Sequence, residues 1–278
     1  MLGYFLGLTT IDIQYLVNNF PKENAKQKST NFCINIGGPA LNAAATFVRL
    51  GGKAKFFTAI GTHALSQYIF SELENLGIEY VDLAPQELEL PVIATVISNS
   101  KNGNRSIMRN QGRKALIDST ILEKSMKEVP QISLLDGFHM EVAATFAAYA
   151  GKHKSPIIMD GGSWKERSLE LISLSDIAIC SDDFRVPSDT VMQYLADKGV
   201  KLRAISRGSS PILFEEGNER GEISVPQVQA IDSLGAGDVL HGAFAYFFAK
   251  GHSFSSALKE AAEIASESTT YFGSRPNH

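Results

Sequence analysis

Apolar positions along this chain follow two rhythms, and the earlier one is helical. In LNAAATFVRLGG, Leu41, Ala45 and Val48 fall on one face of a helix that paired glycines stop. KAKFFTAIGT then reads as a strand. ALSQYIFSELENLG reads as a second helix, its stripe of Leu65, Ile69, Leu73 and Leu76 closed by Gly77. Further on, ISLLDGF, SPIIMDG, DIAICS and LRAISRG are short, continuously apolar strands, separated by helical spans beginning near Glu141, Trp164 and Ser188. Strands apolar on both faces and alternating with helices predict an α/β fold. Its mostly parallel central sheet is covered on both sides, giving three layers, α/β/α.

One stretch breaks this rhythm. PVIATVISNSKNGNRSIMRNQG alternates as two strands about Asn102-Gly103, a hairpin signal. YLVNNFPKENAKQKSTNFCINIGG can supply partner strands. Together, residues from about 13–36 and 91–110 predict a small β lid over one edge of the domain, suited to a reaction that must exclude water. No repeat, low-complexity tract or linker divides the chain, so 1–278 reads as one domain.

Composition narrows the function classes. The chain is 44% hydrophobic and 20% charged, as in an ordinary globular protein. A net charge of −4 leaves no footprint for nucleic acid or anionic lipid, and no apolar run is long enough to span a bilayer. MLGYFLGLTTID lacks the basic region and cleavage site of a secretory signal. Cys33 and Cys180 stand far apart without a CxxC pair, which predicts a reducing, cytoplasmic setting. The six histidines show no HxxxH or HExxH spacing.

Candidate chemistry concentrates in AIDSLGAGDVLHGAFAYFFAKG, residues 230–251. Gly235, Ala236 and Gly237 precede Asp238 and a run that is apolar on nearly every side, the mark of a buried helix. A helix start exposes backbone N–H groups and a favourable dipole, and side-chain-poor residues let a phosphate approach them. A carboxylate beside such a cradle can take a proton from a hydroxyl. The same residues also fit a simple turn with an N-terminal cap. A dinucleotide fingerprint fails, because Leu240 stands where it needs glycine.

DSLGAGD resembles the C-terminal signature of the PfkB, or ribokinase-like, carbohydrate kinase family. GGPALNAAATFVRLGG resembles its N-terminal signature. The order and separation of the two also resemble the family, over essentially the whole chain. The resemblance implies a ribokinase-like fold and transfer of the γ-phosphate of ATP, with Mg²⁺, to a hydroxyl of a small sugar. Asp238 then matches the base, and Gly235, Ala236 and Gly237 match the anion hole. Asp12, Gly38 and Asn42 match sugar-binding positions. NGNRSI resembles the ketohexokinase-like hairpin, with Arg105 reaching for phosphates. LLDGF resembles a strand end offering an acid to the sugar, Asp136. On the nucleotide side, the resemblance implies Asp183, Ser206, Gly208 and Gly273. Some members hold a monovalent cation such as K⁺ through the position of Asp232.

Two segments depart from the family pattern. Asn-X-X-Glu is replaced by Ser181-Asp182-Asp183-Phe184, leaving Asp183 to support the metal, and the nucleotide loop SRGSSP has Pro211 for its second glycine. These departures keep a non-catalytic sugar- or nucleotide-binding homologue in view. A nucleoside, phosphosugar or vitamin alcohol as acceptor also remains open, with Arg105 and Arg109 the cations a phosphosugar would need. Asp160, His139 and Trp164, near strand ends, are weighed as pocket residues against packing or turn roles. Unpaired lid edges predict a homodimer through the lid.

Overall fold

The computed structural model describes residues 1–110, 115–187, 190–273 and 275. Its main sheet runs in the order β13 (Glu219–Ile223), β12 (Ser210–Glu216), β11 (Leu202–Arg207), β10 (Ile177–Ser181), β9 (Ile157–Gly161), β8 (Ile132–Leu135), β1 (Leu2–Leu6), β4 (Lys53–Thr58) and β5 (Glu79–Asp82). From β11 to β5 every pairing is parallel, and β12 and β13 extend the sheet as an antiparallel edge. The four strands legible as apolar runs are β8 to β11. No expectation covered the β12–β13 hairpin, although Gly217-Asn218 at its tip is a hairpin turn signal.

Strand side chains alternate between two cores, as a period of two requires. Phe5, Phe56, Ile177 and Ile179 face one core, beneath α1 (Pro39–Arg49), α2 (Ser66–Asn75), α7 (Ala236–Ala249) and α8 (Phe254–Ser268). Tyr4, Leu6, Ala178 and Cys180 face the other, beneath α3 (Ser119–Ser125), α4 (Ala143–Lys152), α5 (Ser168–Ser173) and α6 (Val191–Asp197). Both faces of the sheet are therefore dry, and its continuous apolar runs are explained. The helices expected near Glu141 and Trp164 begin at Ala143 and Ser168. Ser188 lies outside the described residues; α6 starts after Thr190, whose hydroxyl accepts from Gln193 N–H at 3.3 Å.

The lid is a separate sheet, ordered β3 (Asn31–Gly37), β2 (Thr10–Val17), β6 (Val92–Asn99) and β7 (Arg105–Arg109). β2 begins three residues before the expected start at 13. The hairpin of β6 and β7 is antiparallel, and β2 pairs in parallel with β6. Register assigns the two faces. Asp12, Gln14, Cys33 and Asn35 share one face, and Ile13, Tyr15, Phe32 and Ile34 share the other. Among the described residues no helix is long and apolar enough to cross a membrane.

Candidate active site

The start of α1 is built around a close approach that only glycine allows. Gly38 has φ +116°, and a Cβ there would lie 2.0 Å from the Leu8 carbonyl oxygen. Asp136, at the end of β8, locks this junction. Its Oδ2 accepts from Leu8 N–H at 3.0 Å and Ala40 N–H at 3.2 Å, and its Oδ1 accepts from Phe138 N–H at 2.9 Å. The carboxyl is almost wholly buried, and burial pushes it up to about 6, against the pull of Lys165 and the N–H donors. The expectation that Asp136 offers an acid to the sugar is therefore corrected. Both oxygens are engaged with backbone, and the group organises the glycine-pair loop instead.

At α7, Gly235 sits in the left-handed region with φ 74°. Among the described residues, the N–H groups of Gly235, Gly237 and Asp238 find no acceptor, and Ala236 N–H reaches Ser233 O only at 3.4 Å. A helix start with such donors fits a phosphate group. Asp238 stands in the first turn, partly exposed, and its Oδ2 accepts from Asn42 Nδ2 at 2.8 Å. The pairing is possible because α1 and α7 meet backbone to backbone: a Cβ on Gly242 would lie 2.2 Å from Ala43 O. Confinement pushes the Asp238 carboxyl up, and neighbouring Asp160 adds to the rise. Asn42 and His241 oppose it, and Asp12 contributes a smaller upward push.

Asp12 projects from the inner lid face with its Oδ1 accepting from the Thr10 hydroxyl at 2.8 Å. Burial pushes its carboxyl up, and the Thr10 bond and the Arg275 guanidinium, itself bound to Ile36 O, pull it down. Asp12, Asn42 and Asp238 thus gather in one place. Arg105 is no free surface charge: its Nη1 donates to Ser233 O at 3.1 Å and Ser233 Oγ at 2.7 Å, on the loop that leads to Gly235. Beside it, Ser98 Oγ donates to Asp232 Oδ1 at 3.1 Å.

Asp232 also accepts from Leu234 N–H and Gly273 N–H, each at 3.1 Å, and is buried. Three donors thus hold this carboxylate. The same bond engages the Gly273 amide that was expected to meet nucleotide. On the nucleotide side, Ser181 and Ser206 are register neighbours at the C-terminal ends of β10 and β11, the edge where α/β folds take ligands. Asp183 is exposed, and its N–H donates to Ser181 Oγ at 2.9 Å. Gly208 forms a tight turn into β12. Arg207 donates to Pro211 O at 2.9 and 2.7 Å, which gives Pro211 a structural use in this turn.

Among the described residues no three His, Cys, Asp or Glu side chains gather to hold a metal. The amides before α7 fit the oxygens of a phosphate group, which would carry any Mg²⁺. A cavity of about 420 Å³ opens at the same sheet edge, lined by Leu8, Thr9, Ile60, Phe138, Lys165 and Arg109. Lys165 was not foreseen. Its Nζ donates to Asp136 O at 3.0 Å and lies 4.8 Å from the centre of the Phe138 ring. Trp164 packs on Phe184 and Tyr194, a packing role. His139 takes a positive φ of 54° in the turn after β8, and burial lowers its ring to about 4. Ser233 and His241 were also missed. His241 lies one turn along α7 from Asp238, a spacing legible in the sequence.

The chain matches the pfkB family carbohydrate kinase model over residues 4–278. It is 22% identical to a deoxyribokinase of Salmonella typhi, covering 98% of this chain and 94% of that protein. It is 20% identical to a ketohexokinase of Mus musculus, over 94% and 93%. The structure of ribokinase from Giardia lamblia superposes with a TM-score of 0.82 at 17% identity, over 98% and 94%. The fold is therefore ribokinase-like, and the chain belongs to the pfkB family of carbohydrate kinases.

Proposed function

We propose that the protein is one ATP-dependent sugar kinase unit that phosphorylates a hydroxyl of a small, fructose-like or ribose-like sugar. The observation that carries this reading is the Asp238 carboxyl, held by Asn42 beside the Gly235, Gly237 and Asp238 amides, which find no acceptor among the described residues. Asp238 takes the proton of the attacking hydroxyl, the new O–P bond forms, and the bond from the γ-phosphorus to the β,γ-bridging oxygen breaks. The N–H groups of residues 235–238 stabilise charge on the transferring group. Asp12 and Asn42 orient the sugar, with Gly38 allowing its close approach. Arg105 adds positive charge from the lid. Ser206, Gly208 and Asp183 border the nucleotide, and MgATP supplies the phosphoryl group and leaves as ADP.

ADP release against fructose, ribose, adenosine, ketodeoxygluconate and fructose 6-phosphate tests the reading. Activity should appear with a free sugar and fall by about 10³ in Asp238→Asn, within the range for a general base. Full turnover in that variant would end the assignment. Sugar binding without ADP formation in the wild type would mark a non-catalytic binder instead. The cavity of about 420 Å³, with Arg109 and Lys165 in its wall, supports a second reading with a larger or phosphorylated acceptor. The outer lid face exposes Phe32, Ile34 and Met108, which supports a homodimer through the lid. Free thiols at Cys33 and Cys180 suit a cytoplasmic setting.

A further inference from the structure

His241 lies buried under the first turn of α7, and neither of its ring nitrogens faces a donor. Nδ1 is 2.7 Å from Gly237 O, and Nε2 is 3.0 Å from Ile179 O. A carbonyl oxygen can only accept. A neutral imidazole has one N–H, so its other nitrogen would turn a lone pair onto one of these oxygens. Both contacts are satisfied only if both nitrogens donate. A counter-charge is in place: Asp160 Oδ2, buried and without a hydrogen-bond partner among the described residues, is 3.6 Å from Nδ1.

The peptide plane explains why this matters at the reaction centre. Gly237 C=O and Asp238 N–H belong to one planar trans peptide and point in opposite directions. A ring that holds the Gly237 oxygen along the helix axis therefore aims the Asp238 N–H the opposite way, toward the helix start. We infer that His241, doubly protonated and paired with Asp160, is a positioning residue that aims the Asp238 amide and sets the charge around the Asp238 carboxyl. This inference rests on Asp238 serving as the base.

Asp160 on β9 faces the ring directly, and the Asp238 carboxyl one turn away on α7 also feels Asp12 from β2. Removing the cation should raise the Asp238 carboxyl, and removing the Asp160 charge should lower it. His241→Gln is expected to cut kcat about tenfold, leave the sugar KM within about twofold, and move the acid limb of kcat/KM up by about one pH unit. Asp160→Asn is expected to move that limb the opposite way. A merely structural pair would lower kcat in both variants and leave the limb where it is, overturning the inference.

Nitrogen-15 NMR of the wild-type chain supplies a readout independent of turnover. Both His241 ring nitrogens, identified by their loss in His241→Gln or by proximity to Ile179, should carry protons. A lone-pair nitrogen at pH 7 would overturn the inference even if the enzyme is active. If no acceptor is phosphorylated but both nitrogens are protonated, the kinase reading fails while the ring's charge state stands. Should His241→Gln not fold, Asp160→Asn and the wild-type spectrum still decide.

Discussion

Replacing Asp238 by Asn separates the energetics of the site from its chemistry. The carboxyl has an ordinary value of 3.8 and is pushed up to about 7, chiefly by burial and then by Asp160. A folded-state value above the unfolded one means that the fold tolerates the neutral acid better than the carboxylate. The sign then follows by linkage. Below the unfolded value both states are protonated and the group is harmless; its cost grows as pH climbs toward the folded value and levels off above it. At ~1.4 kcal/mol per unit the interval sets a ceiling on the order of 4 kcal/mol at pH 8. The side chain is partly exposed, so solvent screening reduces the expected figure to about 2 kcal/mol. Asn preserves the shape, and its carbonyl oxygen can accept from Asn42 as Oδ2 does. Urea unfolding at pH 5 and pH 8 is the assay. The variant should be the more stable protein at pH 8, with a smaller gain at pH 5, while its ADP release collapses. Equal stability at pH 8, or a gap that widens on acidification, would refute this account.

Four other outcomes follow from the same geometry. In the wild type, kcat/KM should fall tenfold per unit below about pH 7, since the base must be ionised; a flat profile from pH 5 to 8 would contradict that. Arg105→Ala breaks two contacts with Ser233 and should lower turnover about 10- to 100-fold with little change in the unfolding midpoint. Gly242→Ala forces α1 and α7 apart, so it should cost about 1–3 kcal/mol in urea unfolding and reduce turnover as Asn42 withdraws from Asp238. Asp136→Asn presents an amide NH₂ to one of three backbone donors, and should lose about 2–3 kcal/mol of stability by the same assay.

Much of the fold was legible because its determinants are local. The apolar runs that became β8 to β11 needed only a two-sided sheet to explain them, and the Asn102-Gly103 turn declared its hairpin. Helix starts were less legible, since they depend on which residue supplies the cap. Thr190 does so for α6, whereas the expected start fell at Ser188, and α5 begins four residues beyond Trp164. The antiparallel edge β12–β13 was missed although Gly217-Asn218 is a strong turn signal. Nothing in its apolar pattern distinguishes an edge hairpin from another parallel strand.

The site was legible where sequence left few readings, and obscure where tertiary structure chooses among many. A carboxylate after Gly235-Ala236-Gly237 left two, a base beside a phosphate or a helix cap, and the structure sets that carboxyl against Asn42. Asp136 looked equivalent in sequence, yet Leu8 and Ala40, more than ninety positions away, turn it inward. The same long-range logic joins the lid to the chemistry. Ser98 of β6 holds Asp232, Arg105 of β7 holds Ser233, and both acceptors precede Gly235 in one short loop. The lid is therefore bonded to the short segment that leads into the start of α7. This tie between a hairpin and a glycine-rich loop is not visible when the two segments are considered apart.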